Sequence, residues 1–348
     1  MGRLVQTICK LLENGEDLVL ATILSHEGST PRTAGTKMVI RSGGDSIATV
    51  GGGLVEAEVV QIADEVFRTR SAQIKAFDLT GVNMEGMDLV CGGRLEILVE
   101  FVTAGPANLQ VFQGLSRAMS EGKKTYLVAD LGGIGESPKR VDRCLIGEDG
   151  TVCGSACAAS VTEIVKRWTG KERYPTLVAA DNHRYMIEPS FAPGSVYLFG
   201  AGHVSQQVAP LAKLVDFRIV VLDDRPEFAN GDRFPGCDEV KTLTSFERAL
   251  DKFEIDEDSY IVIVTRGHLH DKTVLEQALK TNAHYIGMIG SRKKRDRIFA
   301  ELRDMGFAET DFQRVHAPIG TNIGAETPEE IGISIVGELI KARAARIS

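Results

Sequence analysis

The stretch "SVYLFGAGHVSQQVAPLAKLVDFRIVVLDDRPEFAN", Ser195–Asn230, decides how the second half of this chain is read. A short apolar strand breaks at Gly200-Ala201-Gly202, a helical apolar pattern follows, and a second strand, 218–222, ends in Asp223-Asp224. Gly200 permits a tight turn and Gly202 lets backbone approach a phosphate. The next helix would offer that anion free N–H groups and the positive end of its dipole. Asp223 or Asp224 stands about where an acidic residue meets a ribose hydroxyl. Ser205 replaces the third glycine of the dinucleotide fingerprint but is small enough for close helix–strand packing. A tight βα turn without a ligand would use the same residues, so the pattern leaves both readings open.

Working outward, strand and helix alternate from there to the C-terminus. The pattern predicts strands at 195–199, 218–222, 259–264, 284–288 and near 314–317, and helices at 203–214, 245–252, 270–281, 292–305 and 328–343. This rhythm predicts a Rossmann-like, doubly wound parallel sheet over 195–348. Before it, Glu188–Gly194 holds two prolines and a glycine, which predicts a linker at 189–194. Residues 1–188 read as an α+β domain, with strands at 18–24, 37–40, 47–50, 95–101, 125–129 and 144–146 and helices at 54–67, 109–119 and 155–168. No internal repeat is visible in the sequence.

Further motifs fall at predicted strand ends. "TRGHLHD", Thr265–Asp271, follows an apolar strand and brings Arg266, His268 and Asp271 toward the crevice of Gly202. His203, His268 and His270 could serve a hydride-transfer site, or simply occupy turns and caps; His268-x-His270 alone is a weak metal signal. In "YIGMIGSRKKRDRI", Gly290 ends a strand, Ser291 can cap the next helix, and Arg292–Arg295 put positive charge against its dipole. An anion at Ser291 and Arg292 would relieve that conflict; a solvated basic face is the plainer alternative. In the first half, "HEGSTPRTAGTKMVI" and "TVGGGLVEAEVV" are loops of glycine and small hydroxyl residues, the second leading from strand into helix. Cys91 precedes two glycines, while Cys153 and Cys157 have the spacing of packing residues on one helix face.

Bulk properties exclude several classes. The 348 residues suit two domains, and 40 basic against 48 acidic side chains give a net charge of −8 with no basic block. That balance argues against a nucleic-acid partner or an anionic membrane. No apolar run approaches the roughly 20 residues of a membrane span, and Met1–Lys10 lacks a leader pattern. Six scattered cysteines fit a reducing, cytoplasmic compartment.

Taken together, the chain resembles the XdhC/CoxI family, accessory proteins of xanthine dehydrogenase and related molybdenum hydroxylases. The resemblance rests on "LATILSHEGSTPRTAGTKMVI", "TVGGGLVEAEVV", "VCGGRLEILVE", the Ser195–Asn230 stretch, "TRGHLHD", "YIGMIGSRKKR" and "HAPIGTNIGAETPEEIGISIVGELI", in that order. It implies a dimeric chaperone, more a carrier than an enzyme. Such a protein binds molybdenum cofactor, supports its sulfuration with a cysteine desulfurase and delivers it to the hydroxylase apoprotein. The implied cofactor-binding residues are Ser29, Thr30, Arg32, Gly51, Gly52, Gly53, Glu56, Cys91, Gly200, Gly202, His203, Asp223, Arg266, His268, Asp271, Gly290, Ser291 and Arg292. Many relatives carry cysteine directly after the glycine run, where this chain has Leu54. Cys91 is the remaining motif match for a thiol that contacts molybdenum or its sulfur. The competing expectations are an NAD(P)-dependent oxidoreductase and a nucleotide-sensing module, both resting on the glycine turn.

Overall fold

A computed structural model describes residues 2–79, 92–155, 158–167, 174–190 and 194–345. The chain divides into two compact units, Met1–Phe191 and Ala192–Ser348.

The first unit runs α1 (Gly2–Glu13), β1 (Leu18–Glu27), β2 (Lys37–Arg41), β3 (Ser46–Ala48), α2 (Gly53–Thr69), β4 (Gln73–Asp78) and β5 (Arg94–Val102). It continues with α3 (Pro106–Glu121), β6 (Thr125–Gly133), β7 (Asp142–Gly147), β8 (Val152–Gly154), α4 (Ala159–Arg167), β9 (Thr176–Ala180) and β10 (His183–Ser190). The strands form two antiparallel sheets, ordered β3-β2-β1-β5-β4 and β8-β7-β6-β10-β9. Helix α2 buries Val55, Val59, Ala63 and Val66 on one face of the first sheet, and α4 buries Val161 and Val165 on the second. The remaining faces meet each other across Leu20, Val39, Leu127 and Leu145, with α1 and α3 filling one end. Local signals set the helix ends: Pro106 occupies the first turn of α3, and Gly122 ends it in the left-handed region at φ 73°.

Two differences from the sequence reading stand out here. The expected linker begins too early, because Pro189 and Ser190 pair with Tyr126 and Thr125 at the end of β10; residues 191–193 lie outside the described residues. The two sheets also share one strand order, so a repeat absent from the sequence is present in the topology.

Between the sheets lie charges almost wholly removed from solvent. Lys37 Nζ on β2 sits 2.7 Å from Glu188 on β10, and Arg143 on β7 pairs with Glu100 on β5. Burial pushes the Glu100 carboxyl above its ordinary range, against the pull of Arg143 and Lys37.

The second unit runs β11 (Ser195–Phe199), α5 (His203–Leu214), β12 (Arg218–Asp223), β13 (Glu239–Thr242), β14 (Ser259–Ile263) and α6 (His268–Leu279). It ends with β15 (Tyr285–Met288), α7 (Arg292–Asp304), α8 (Glu309–Phe312), β16 (Val315–His316) and α9 (Pro328–Ala345). All six strands are parallel in the order β13-β12-β11-β14-β15-β16. Helices α6 and α7 cover one face, and α5 and α9 cover the other. Burial on both faces explains the unbroken apolar runs of β11, β12 and β14. This is the doubly wound sheet the sequence predicts, with its switch point between β11 and β14.

The expected helix at 245–252 is absent. Phe246, Ala249 and Leu250 are buried at helical spacing, but Arg248 turns the chain at φ 57°. The Gln277 carboxamide takes the freed backbone groups, donating to Phe246 O at 2.8 Å and accepting from Leu250 N at 3.2 Å. Among the described residues, no helix is long and apolar enough to cross a membrane.

Lys37→Met should lower stability by about 3–5 kcal/mol, because it strands the buried Glu188 carboxylate. Lys37→Met with Glu188→Met should recover most of that loss, as urea titrations of both variants will show.

Candidate functional site

Each unit gathers its own motifs at strand ends. In the first, β1 ends at Glu27 and the chain turns at Gly28, φ 68°. Thr30 Oγ1 donates to Arg32 O at 2.8 Å, and Ala34 N donates to His26 Nδ1 at 3.2 Å, which holds the loop in one shape. Gly93 lies against this loop: a Cβ there would come 2.5 Å from both Glu27 O and Ser29 O. Only glycine permits that approach of backbone to backbone. Pro31 in turn packs on the glycine run, 3.2 Å from where a Gly51 Cβ would stand. Three motifs far apart in sequence thus meet: Ser29–Arg32, Gly51–Gly53 and Gly92–Gly93.

The glycine run itself is open. Gly52 and Gly53 adopt φ 73° and 55°, and among the described residues nothing lies within 4 Å of a Cβ at either position. Among the described residues no side chain caps the N-terminus of α2. Its Glu56 accepts a hydrogen bond from Thr49 Oγ1, which itself accepts from Gly51 N at 3.1 Å. Ser29 and Arg32 stand exposed in the packed loop beside this helix start, and the start of a helix is where an anion finds backbone donors. Leu54 follows the run and offers no thiol. Cys91 lies outside the described residues, as does Cys157; Cys153 is half-buried in β8.

In the second unit, the turn after β11 is set by Gly200, φ 108°, where a Cβ would lie 2.4 Å from Val264 O. Ser205, fully buried, donates its hydroxyl to Gly200 O. The residue at the third-glycine position therefore fastens the turn. Gly202 begins α5 and Gly267 begins α6, each without a side-chain cap among the described residues. Exposed His203 and His268 are the first residues of these helices, which follow neighbouring strands. His270 instead packs on Phe246, ring centroids 5.0 Å apart.

The acidic positions are engaged internally. Asp223 is buried; one oxygen accepts from Ala201 N at 2.8 Å, and Arg225 grips both, Nε at 2.8 Å and Nη2 at 3.0 Å. Burial alone would raise this carboxyl, but the bonds from Arg225 and Ala201 outweigh it and hold the group below its ordinary value of 3.8. Its first task is to tie β12 to the glycine turn, which leaves little of it for a ribose. Asp224, its more exposed neighbour, is held by Arg266, Nη2 to Oδ2 at 2.8 Å.

Asp271 has no exposure and accepts from Thr265 Oγ1 at 2.6 Å, while its other oxygen meets Lys294. Lys294 reaches it from the first turn of α7 across Gly290, where a Cβ would stand 2.6 Å from Lys294 Cδ. That internal ion pair answers part of the dipole conflict at "SRKKR". Ser291 accepts from Lys294 N at 3.2 Å and caps the helix, while Arg292 points from an exposed position.

Sequence reasoning overlooked Thr49, Arg225 and Arg233; it read Lys294 only as part of a basic helix start, and Gly93 only as a glycine after Cys91. Arg225 and Arg233 both stack on Phe228, at 3.7 and 4.8 Å from its centroid, and Arg233 Nη2 reaches Gln206 on α5 at 2.9 Å. The signal available was the arginine two residues beyond Asp223 in "DDRPEF". Among the described residues, no three His, Cys, Asp or Glu side chains group as a metal site.

Comparison with known proteins fits this arrangement. A model of the XdhC Rossmann domain matches residues 196–339, and a model of the XdhC and CoxI family matches residues 11–78. The chain belongs to the XdhC and CoxI family. It is 28% identical, over 99% of its length and 98% of the relative's, to a Bacillus subtilis protein described as a probable subunit of xanthine dehydrogenase. It is 20% identical, over 95% of its length and 85% of the relative's, to the molybdenum cofactor insertion chaperone PaoD of Escherichia coli. A crystal structure described as a xanthine dehydrogenase from Bacillus halodurans superposes with a TM-score of 0.79 at 24% identity, covering 97% of this chain and 96% of that one. That likeness concerns the fold. In this XdhC/CoxI chain, the two matched segments contain the loop around Ser29, the glycine run and the Rossmann turn.

Asp223→Asn should lower stability by about 1.5–3 kcal/mol at pH 7, the scale of hydrogen bonds to a charged group. The carboxylate's contribution is full above its unfolded value and is lost only as pH falls through its depressed folded value. The gap between variant and parent should therefore persist to pH 4 and close below it, as urea titrations at stepped pH will register.

Proposed function

We propose that this protein is an accessory factor for molybdenum enzymes that binds molybdenum cofactor as cargo, supports its sulfuration by a cysteine desulfurase and delivers it to a hydroxylase apoprotein. The observation that carries the reading is the open Gly51–Gly53 turn at the uncapped start of α2, packed against the Ser29–Arg32 loop. Molybdopterin ends in a phosphate, and free backbone N–H groups hold such a group without the tight grip that would prevent release. Arg32 adds charge beside the turn, and the second unit has, within that unit alone, helix starts of the same kind at α5 and α6. The name of the Escherichia coli relative supports the cargo, and that of the Bacillus subtilis relative supports a xanthine dehydrogenase-type client. A homodimer working in the cytoplasm belongs to the same proposal.

Gly52→Asp tests it. Gly52 stands at φ 73° and ψ 179°, a backbone region that favours glycine, so Gly52→Ala is the control: it carries the same backbone strain without the charge and should retain pterin like the parent. The aspartate carboxylate would occupy the donors and repel a phosphate. Protein purified from cells that make molybdopterin should then retain at least about tenfold less pterin than the parent, a loss of about 1.4 kcal/mol, measured by fluorescence after oxidative release. Equal retention would remove this turn from the site. A retained nicotinamide dinucleotide in place of pterin would favour an NAD(P) oxidoreductase or a nucleotide-sensing module instead.

A further inference from the structure

We infer that residues 2–190 are two copies of one module, docked on each other as a dimer within the chain, and that the anion-binding turn was kept in the first copy alone. The common strand order is the first sign, and the register makes it specific. Leu20 on β1 pairs with Val39 on one side and Glu100 on the other; Leu127 on β6 pairs with Leu145 and Glu188. Two residues along each strand, Thr22 faces Lys37 and Ala129 faces Arg143. Lys37 therefore corresponds to Arg143, and Glu100 to Glu188.

The buried ion pairs join these positions crosswise. Lys37 of the first copy meets Glu188 of the second, and Arg143 of the second meets Glu100 of the first. That reciprocity is the signature of a two-fold, self-complementary interface. On such an axis an element meets its own counterpart. Glu96 pairs with Arg184, the corresponding position four residues before each glutamate, and α1 packs on α3. The apolar seam repeats the rule: Leu24 and Leu131, and Leu98 and Met186, share one cluster.

Smaller features agree. The β2–β3 turn bonds Arg41 N to Asp45 O at 2.8 Å and Gly44 N to Arg41 O at 3.0 Å. The β7–β8 turn bonds Gly147 N to Thr151 O and Gly150 N to Gly147 O, each at 2.9 Å. Ala48 and Gly154 end their short strands with positive φ, 67° and 105°.

What differs between the copies then marks the site. The counterpart of Gly53 is Ala159, the first residue of α4, and that of Gly52 is Ala158. In the second copy β9 and β10 join directly through Asp181 and Asn182, φ 48° and 61°, whereas residues 79–93 separate β4 from β5. By the same register Gly93, which presses on the Ser29 loop, falls on Asp181, a turn residue that is not glycine. Gly93 is thus a positioning residue of the site, and the second copy is its scaffold.

Two sets of variants of the full chain test the two parts. Exchanging counterparts (Thr22→Ala, Lys37→Arg, Ala129→Thr and Arg143→Lys together) should shift the melting temperature by no more than about 3 °C, about one kcal/mol for a unit this size. The reference is Lys37→Met with Arg143→Met, which strands both carboxylates. An exchange variant that melts nearer the reference than the parent, or that fails to fold, overturns the duplication. The second part rests on the cofactor reading above. Ala158→Asp should leave pterin retention unchanged where Gly52→Asp reduces it tenfold; equal loss in both overturns confinement to the first copy. If the parent retains no pterin, the cofactor reading fails while the melts still decide the duplication.

Discussion

Both candidate sites depend on one constraint: a backbone that must touch another backbone where a side chain would otherwise stand. At Gly200 the obstacle is Val264 O, and at Gly93 it is the pair of carbonyls from Glu27 and Ser29. In each unit a single glycine draws the end of one strand onto its neighbour and brings separate motifs together. Around Gly200 this aligns the starts of α5 and α6; around Gly93 it sets the loop on which the Gly51–Gly53 run leans. Among the described residues no side chain caps these helix starts. Donors that the protein does not satisfy itself are what make these turns receptive to an anion.

Much of this was legible in the sequence because the relevant physics is local. Strands buried on both faces leave apolar runs, and glycines at strand ends leave a gap in them, so the order of the second unit could be read from Ser195 onward. The region 245–252 failed for an equally physical reason. Buried Phe246, Ala249 and Leu250 satisfy a helical period, but period reports which side chains are inside and not how the backbone is bonded. There the Gln277 side chain supplied the bonds. Asp223 was found as a position, while its partners were not. Arg225 is close in sequence, but the bond from Ala201 exists only once β11 and β12 lie side by side.

The repeat escaped the sequence because what was kept between the copies is geometry and charge sign rather than residue identity. Ile40 and Ile146, Gly44 and Gly150, Val55 and Val161, and Val59 and Val165 agree; Lys37 and Arg143 agree only in charge, and Met38 and Cys144 only in being buried. A sheet face accepts many apolar residues of suitable size. An interface that buries charge accepts few, since an unmatched carboxylate there costs several kcal/mol. The four ionic positions are therefore where the two-fold relation stays most visible.

That arrangement also separates stability from function. Glu100 remains paired even though burial pushes its carboxyl upward, so the interface tolerates strain in exchange for a fixed register between the sheets. Burying ionic groups in this way specifies one docking geometry more than it adds net stability. With the register fixed from the second copy, the β1–β2 loop and the glycine run of the first are free to stay open, uncapped and rich in left-handed backbone. A turn whose donors wait for a ligand weakens the fold that holds it, and a second copy without such a turn is a physically reasonable place to find the support.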